Sequence, residues 1–164
     1  MGAALHLHIH PVLENTLMLN LSSGIDESLR EMAHATCIFE RSFNAINWKN
    51  PCEYSVFLEI KSGNIAGQIR FHFSHKALAG VFHGMIGGTA PPAIAEIVDV
   101  LGELSNVCYG IAKGKLNREG YSLGMSLPRA GKSTDLPSLE SGRPNMIIPF
   151  NVFNETCYIQ IVIL

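Results

Sequence analysis

The chain has 164 residues and a formal net charge of -2, with 47% apolar and 16% charged residues. One domain of ordinary size fits that length, and the apolar fraction supplies a real core, which excludes a disordered chain. The near-neutral charge excludes a strongly basic surface, so neither nucleic acid nor a membrane is expected as a partner.

Residues 4–10 alternate Leu5, Leu7 and Ile9 with His6, His8 and His10, the period of a strand. Alternating His-x-His is also a plausible zinc pair, so a metal-binding protein built on these three histidines is one alternative. No later carboxylate or histidine motif completes such a set, and a wet strand face is the plainer reading. The opening MGAALHLHIHP lacks a basic stretch and a long apolar run, so a signal peptide is not expected. Residues 1–24 read as an N-terminal extension of a single domain spanning 1–164, with a loop at Ser22-Ser23-Gly24.

A helix is expected from Asp26 to about Phe43, on the spacing of Leu29, Met32, Ala33 and Thr36. Residues 54–60 and 65–73 are rich in β-branched and aromatic residues and read as a hairpin. Ser74 is placed to cap a short helix over about 75–86, which Gly87-Gly88 stops. Pro91-Pro92 then open a long helix over roughly 92–117. Strands follow at 121–127, 145–152 and 156–164, with a mobile Gly/Pro/Ser-rich loop at 129–144. Within that loop, Ala130-Gly131-Lys132-Ser133-Thr134 has the look of a P-loop tail. The required upstream glycine is missing and Pro137 opposes the helix that must follow, so this reading is rejected.

Cys37, Cys52, Cys108 and Cys157 form no Cys-x-x-Cys pair. Four reduced thiols in a cytoplasmic protein are expected. The chain ends in the apolar stretch IQIVIL, which suits a strand that is central in its own sheet or paired with a second copy.

The helix over 92–117 is the informative segment. Glu96, Asp99, Glu103, Asn106, Gly110 and Lys113 follow one another at steps of three and four, which keeps them on one face. The remainder of the helix is apolar. Glu103 and Asn106 stand side by side in mid-stripe, with the small residues Gly102, Ser105 and Gly110 around them. Long charged side chains would suit solvent better; an acid, an amide and small neighbours suit contact with a partner.

The run Asp99-x3-Glu103-x2-Asn106, followed by Pro128, resembles the signature of the CheC/CheX/FliY chemotaxis phosphatases. Met85-Ile86-Gly87-Gly88 before the helix and the second hairpin strand, Ile65 to Phe73, resemble CheX as well. The first helix carries no Glu-x-x-Asn, which is similar to CheX with its single motif per chain. The resemblance implies an α+β fold, a CheC-like layered domain with a largely antiparallel sheet, packed helices and one long amphipathic helix carrying the site. It implies a phosphatase acting on the aspartyl phosphate of a CheY-like response regulator in two-component signalling, and a homodimer. Asn106 would orient the attacking water and Glu103 would pair with the receiver's lysine. Asp99, Glu96, Gly102 and Ser105 would contact the receiver. No cofactor is expected in this chain; Mg²⁺ would belong to the receiver. The rival within the same fold is a module that docks a receiver without hydrolysing anything.

Overall fold

A computed structural model describes residues 11–62, 65–139 and 142–163. The histidine strand expected at 4–10 lies outside them.

Helix α1 runs Pro11–Ala33, which differs from the expected 26–43 at both ends. Its core face is a ladder of four-residue steps, Leu17, Leu21, Ile25, Leu29 and Ala33, all buried. Ser22-Ser23-Gly24 is helix, not loop, and Leu17, Asn20 and Leu21, within the expected extension, are buried in the packed body. The physical reason is a helix crossing. A Cβ on Gly24 would stand 2.7 Å from the carbonyl oxygen of Cys108, on the neighbouring helix. Only a residue without a side chain permits that approach. The buried Ser28 hydroxyl meanwhile donates back to the Gly24 carbonyl at 2.6 Å. The helix ends at His34, which takes a left-handed φ of 53°.

The segment assigned to the second half of that helix instead gives two short strands, β1 (Ile38–Phe39) and β2 (Phe43–Ile46). Strands β3 (Tyr54–Ser62) and β4 (Ile65–Phe73) pair antiparallel, from Tyr54 opposite Phe73 to Ser62 opposite Ile65. Helix α2 spans His75–Ile86; the Ser74 hydroxyl accepts from the Ala77 N–H at 3.1 Å, and Gly87 takes φ 76° at its end. Helix α3 spans Ile94–Arg118.

After α3 the strand expected at 121–127 shrinks to β5 (Gly124–Met125), and the expected loop contains β6 (Arg129–Lys132). Both pair with the outer edge of β3, and the register steps by one residue between them. Pro128, lacking an N–H, sits in this bulge, so a single edge strand is broken in two. Strands β7 (Pro144–Val152) and β8 (Glu155–Ile163) complete the sheet.

The eight described strands form one antiparallel sheet in the order β1-β7-β8-β4-β3-β5, with β2 on β7 and β6 on β3. Strand β8 lies between β7 and β4, so the apolar C-terminal stretch is central in its own sheet. The three helices pack on one face. Val56, Leu58, Ile69, Phe71, Ile148, Phe150, Ile159 and Ile161 point toward them and form the core with α1 and α3. Alternate residues, among them Ser55, Arg70, His72 and Gln160, point to the opposite face.

Candidate functional site

Helix α3 is fixed from both ends. At its start the Glu96 carboxylate accepts from the Ala93 N–H at 2.6 Å, which satisfies a donor that has no partner within the helix. Just before it, His83 of α2 donates its Nε2–H to the Ala90 carbonyl at 2.8 Å and holds the incoming chain. At its end the Glu119 N–H returns to the Lys115 and Leu116 carbonyls.

Along its length the helix divides in two. Ile97, Val100, Leu101, Leu104, Cys108, Ala112 and Leu116 are buried against α1 and the sheet. Glu96, Asp99, Glu103, Asn106 and Gly110 are exposed. The stripe expected from the sequence is therefore a surface feature standing on a rigid, fully packed base. Burial of the apolar face gives roughly 25 cal/mol per Å², which holds the helix axis and thus the direction of the polar face.

Glu103 and Asn106 are separated by three residues, so their Cβ atoms are neighbours, on the order of 5–6 Å apart. Neither forms a hydrogen bond or ion pair within the described residues, and the same is true of Asp99. Their polar atoms are open to a partner. Gly102 lies one turn before Asn106, and a Cβ there would meet nothing within 4 Å. Gly110, one turn after, is equally open. Gly102 and Asn106, one turn apart, share one strip of the helix surface.

Two of the expected partner contacts stand differently. Ser105 is buried, with 1% of its surface exposed, and its hydroxyl donates to the Leu101 carbonyl at 2.6 Å. It therefore belongs to the packed side and is out of a partner's reach in this conformation. Glu96 is exposed, but one carboxylate oxygen is engaged in capping its own helix. Among the described residues no cluster of three His, Cys, Asp or Glu side chains could hold a metal ion. His6, His8 and His10 lie outside those residues.

The family profile described as chemotaxis phosphatase CheX matches residues 54–151. This chain belongs to the CheX family. The matched region begins with β3 and contains the whole of α3. A search of curated proteins gave no match. Among solved structures, the CheC-like superfamily protein from Shewanella sp. PV-4 superposes with a TM-score of 0.80 at 20% identity, over 91% of this chain and 97% of that one. Chemotaxis protein CheX from Vibrio vulnificus gives 0.80 at 17%, over 90% and 99%. The CheX–CheY–BeF₃–Mg²⁺ complex from Borrelia burgdorferi gives 0.67 at 16%, over 90% and 97%. These likenesses establish a shared CheC-like fold, the α+β layered domain expected from the sequence.

No described helix is long and apolar enough to cross a membrane. A feature that sequence reading missed lies across the sheet from α3: a polar cavity beside Arg70 and His72. Its signal was present as polar residues at alternate positions of β4, Gln68, Arg70 and His72, inside an otherwise apolar strand.

Proposed function

We propose that this CheX-family protein hydrolyses the aspartyl phosphate of a CheY-like receiver, with Asn106 orienting the attacking water and Glu103 pairing with the receiver's lysine. The observation that supports this reading most is the pair itself. An acid and a carboxamide stand adjacent, exposed and without partners among the described residues, on the one polar face of a helix otherwise fixed in the core.

The chemistry follows from what such a receiver lacks. Hydrolysis needs a water in line with the phosphoryl group and stabilisation of spreading negative charge. The receiver brings its own Mg²⁺ and lysine for the charge. A carboxamide suits the water, because it donates and accepts without repelling phosphoryl oxygens as a carboxylate would. Glu103, one step away on the same face, gives a docking contact that fixes the amide over the phosphoryl group. Asp99, one turn further back, adds negative field toward a basic rim. The open backbone at Gly102 lets the receiver come close.

The test is phosphate release from a phosphorylated CheY-type receiver with the wild type, Asn106→Ala and Glu103→Ala. Asn106→Ala should lose roughly 10²–10³ in rate, as when one positioned group is removed, with receiver affinity little changed. Glu103→Ala should lose affinity and rate together. Unchanged affinity in Glu103→Ala would refute its docking role, and an Asn106→Ala variant as fast as wild type would refute the water-positioning role. Receiver binding by the wild type without any acceleration would favour a docking module instead.

A homodimer is part of the same proposal. The β1–β2 region exposes Ile38, Phe43 and Ile46, an apolar surface that a second copy could cover. Sedimentation at micromolar concentration separates monomer from dimer.

A further inference from the structure

The sheet face opposite the helices is polar in its middle and holds a cavity of about 460 Å³, within the size range of small-ligand sites. Its floor comes from β3, β4 and β8. Its walls come from the stretch around Trp48 and Asn50 and from described residues after β6, including Ser133 and Thr134 of the rejected P-loop lookalike. The Trp48 ring forms one side, 5.5 Å from the His72 ring and 5.0 Å from that of Tyr158.

Hydrogen bonds fix the floor in one proton arrangement. The Gln160 amide donates to Asn145 Oδ1 at 2.9 Å, so its own carbonyl oxygen is left to accept from His72 Nε2–H at 2.8 Å. His72 Nδ1 is then an acceptor, and the Ser55 hydroxyl donates to it at 2.6 Å. Ser55 in turn lies 2.6 Å from the Ser133 hydroxyl. This chain does not make Ser55 a nucleophile. Ser55 is 2% exposed, and burial holds the His72 imidazole neutral, with its pKa lowered to about 4. The floor is a rigid polar surface suited to binding.

Arg70 gives that surface its charge. It is 7% exposed, yet no carboxylate pairs with it among the described residues. Its guanidinium donates to the Pro137 carbonyl and to Gln68 Oε1 and lies over the Phe57 ring at 5.1 Å. Arg129 lies over the same ring at 5.3 Å and adds to the positive field. Glu53, the acid of the cavity wall among the described residues, makes no ion pair with Arg70 and accepts from the His75 N–H at 3.1 Å. A buried guanidinium facing a cavity without a counter-charge is costly, and an anion placed there offsets the cost.

We propose that this cavity binds a small aromatic anion, its phosphate or carboxylate received by Arg70 and its ring laid against Trp48. The site is separate from the α3 surface, which lies across the sheet.

Trp48 is the only tryptophan in the chain, so its fluorescence reports on the cavity directly. The experiment titrates the full chain with phenyl phosphate, benzoate and the uncharged benzamide. A saturable fluorescence change with phenyl phosphate or benzoate, and none with benzamide, is expected. The arm that binds more tightly distinguishes phosphate from carboxylate. Arg70→Gln should weaken binding by roughly tenfold or more, the loss of a charge-assisted contact. If that variant fails to fold by circular dichroism, Arg70→Lys retains the charge, loses the planar fork and should still bind several-fold more weakly. No saturable change with either anion at millimolar concentration would overturn the proposal. So would an equal response to benzamide, or undiminished binding by a folded Arg70 variant.

Discussion

Placing a methyl group at Gly102 separates what the fold needs from what the docking surface needs. A Cβ at this position meets no atom within 4 Å, so Gly102→Ala adds no strain to the folded chain. Alanine is about 1 kcal/mol more favourable than glycine inside a helix, because less backbone freedom is lost on folding. For a chain of this length that gain raises Tm by roughly 2–4 °C. Function should move the other way. Asn106 lies one turn on along the same face, and in the proposed docking a phosphoryl group brought to the carboxamide approaches across that bare backbone. A methyl inserted into a closely packed contact costs about 1–3 kcal/mol, or roughly 5- to 150-fold in kcat/KM for the phosphorylated receiver. The assays are thermal unfolding and phosphate release on the same preparation. Higher stability with undiminished kcat/KM would show that the receiver does not come close over Gly102, and the proposed docking geometry would be wrong.

Gly24 responds in the opposite sense: its Cβ would stand 2.7 Å from the Cys108 carbonyl, so Gly24→Val should destabilise by about 1–3 kcal/mol, read by urea unfolding. His72 gives an acid dependence. Its folded pKa is lowered to about 4, chiefly by burial, against 6.5 for an ordinary imidazole, so the unfolded chain binds the extra proton first. Stability held above pH 6.5 should fall by about 1.4 kcal/mol per pH unit toward pH 4 from this residue, and His72→Gln should flatten that part of the profile. Burial pushes the Cys37 and Cys52 thiols up to about 12 and raises those of Cys108 and Cys157 as well. Native alkylation at pH 8 should therefore be slow at all four and become fast on unfolding. The stability these neutral thiols contribute is present below their ordinary pKa, near 9, and is lost as the pH rises toward 12.

The elements carried by local signals were legible in the sequence. Ser74 and Gly87 bracket α2, and β-branched runs mark β3 and β4, because caps and strand alternation act within a few residues. Helix α3 was legible for the same reason, and so was its surface stripe, since six polar or small positions at steps of three and four fit no other backbone. Helix α1 was misread because Ser22-Ser23-Gly24 looks like a loop until Cys108 is brought against it. Small residues mean a turn locally and a close helix crossing globally, and only the tertiary contact decides. Strand β6 was missed because Gly131 and the bulge at Pro128 weaken its local pattern, while the free edge of β3 supplies the pairing. Ser105 was assigned outward on its small size alone, whereas its position on the helix directs it into the core. Of the cavity only the polar alternation of β4 was legible, because the lining as a whole comes from four separated stretches of chain.

The central claim is that α3 presents a water-positioning surface to a phosphorylated receiver. The most direct measurement is the decay of a phosphorylated CheY-type receiver, followed in single turnover with and without the wild-type protein. The account predicts decay that accelerates with protein concentration and saturates as the complex fills. Decay at the receiver's own rate, at concentrations where binding is complete, would contradict it.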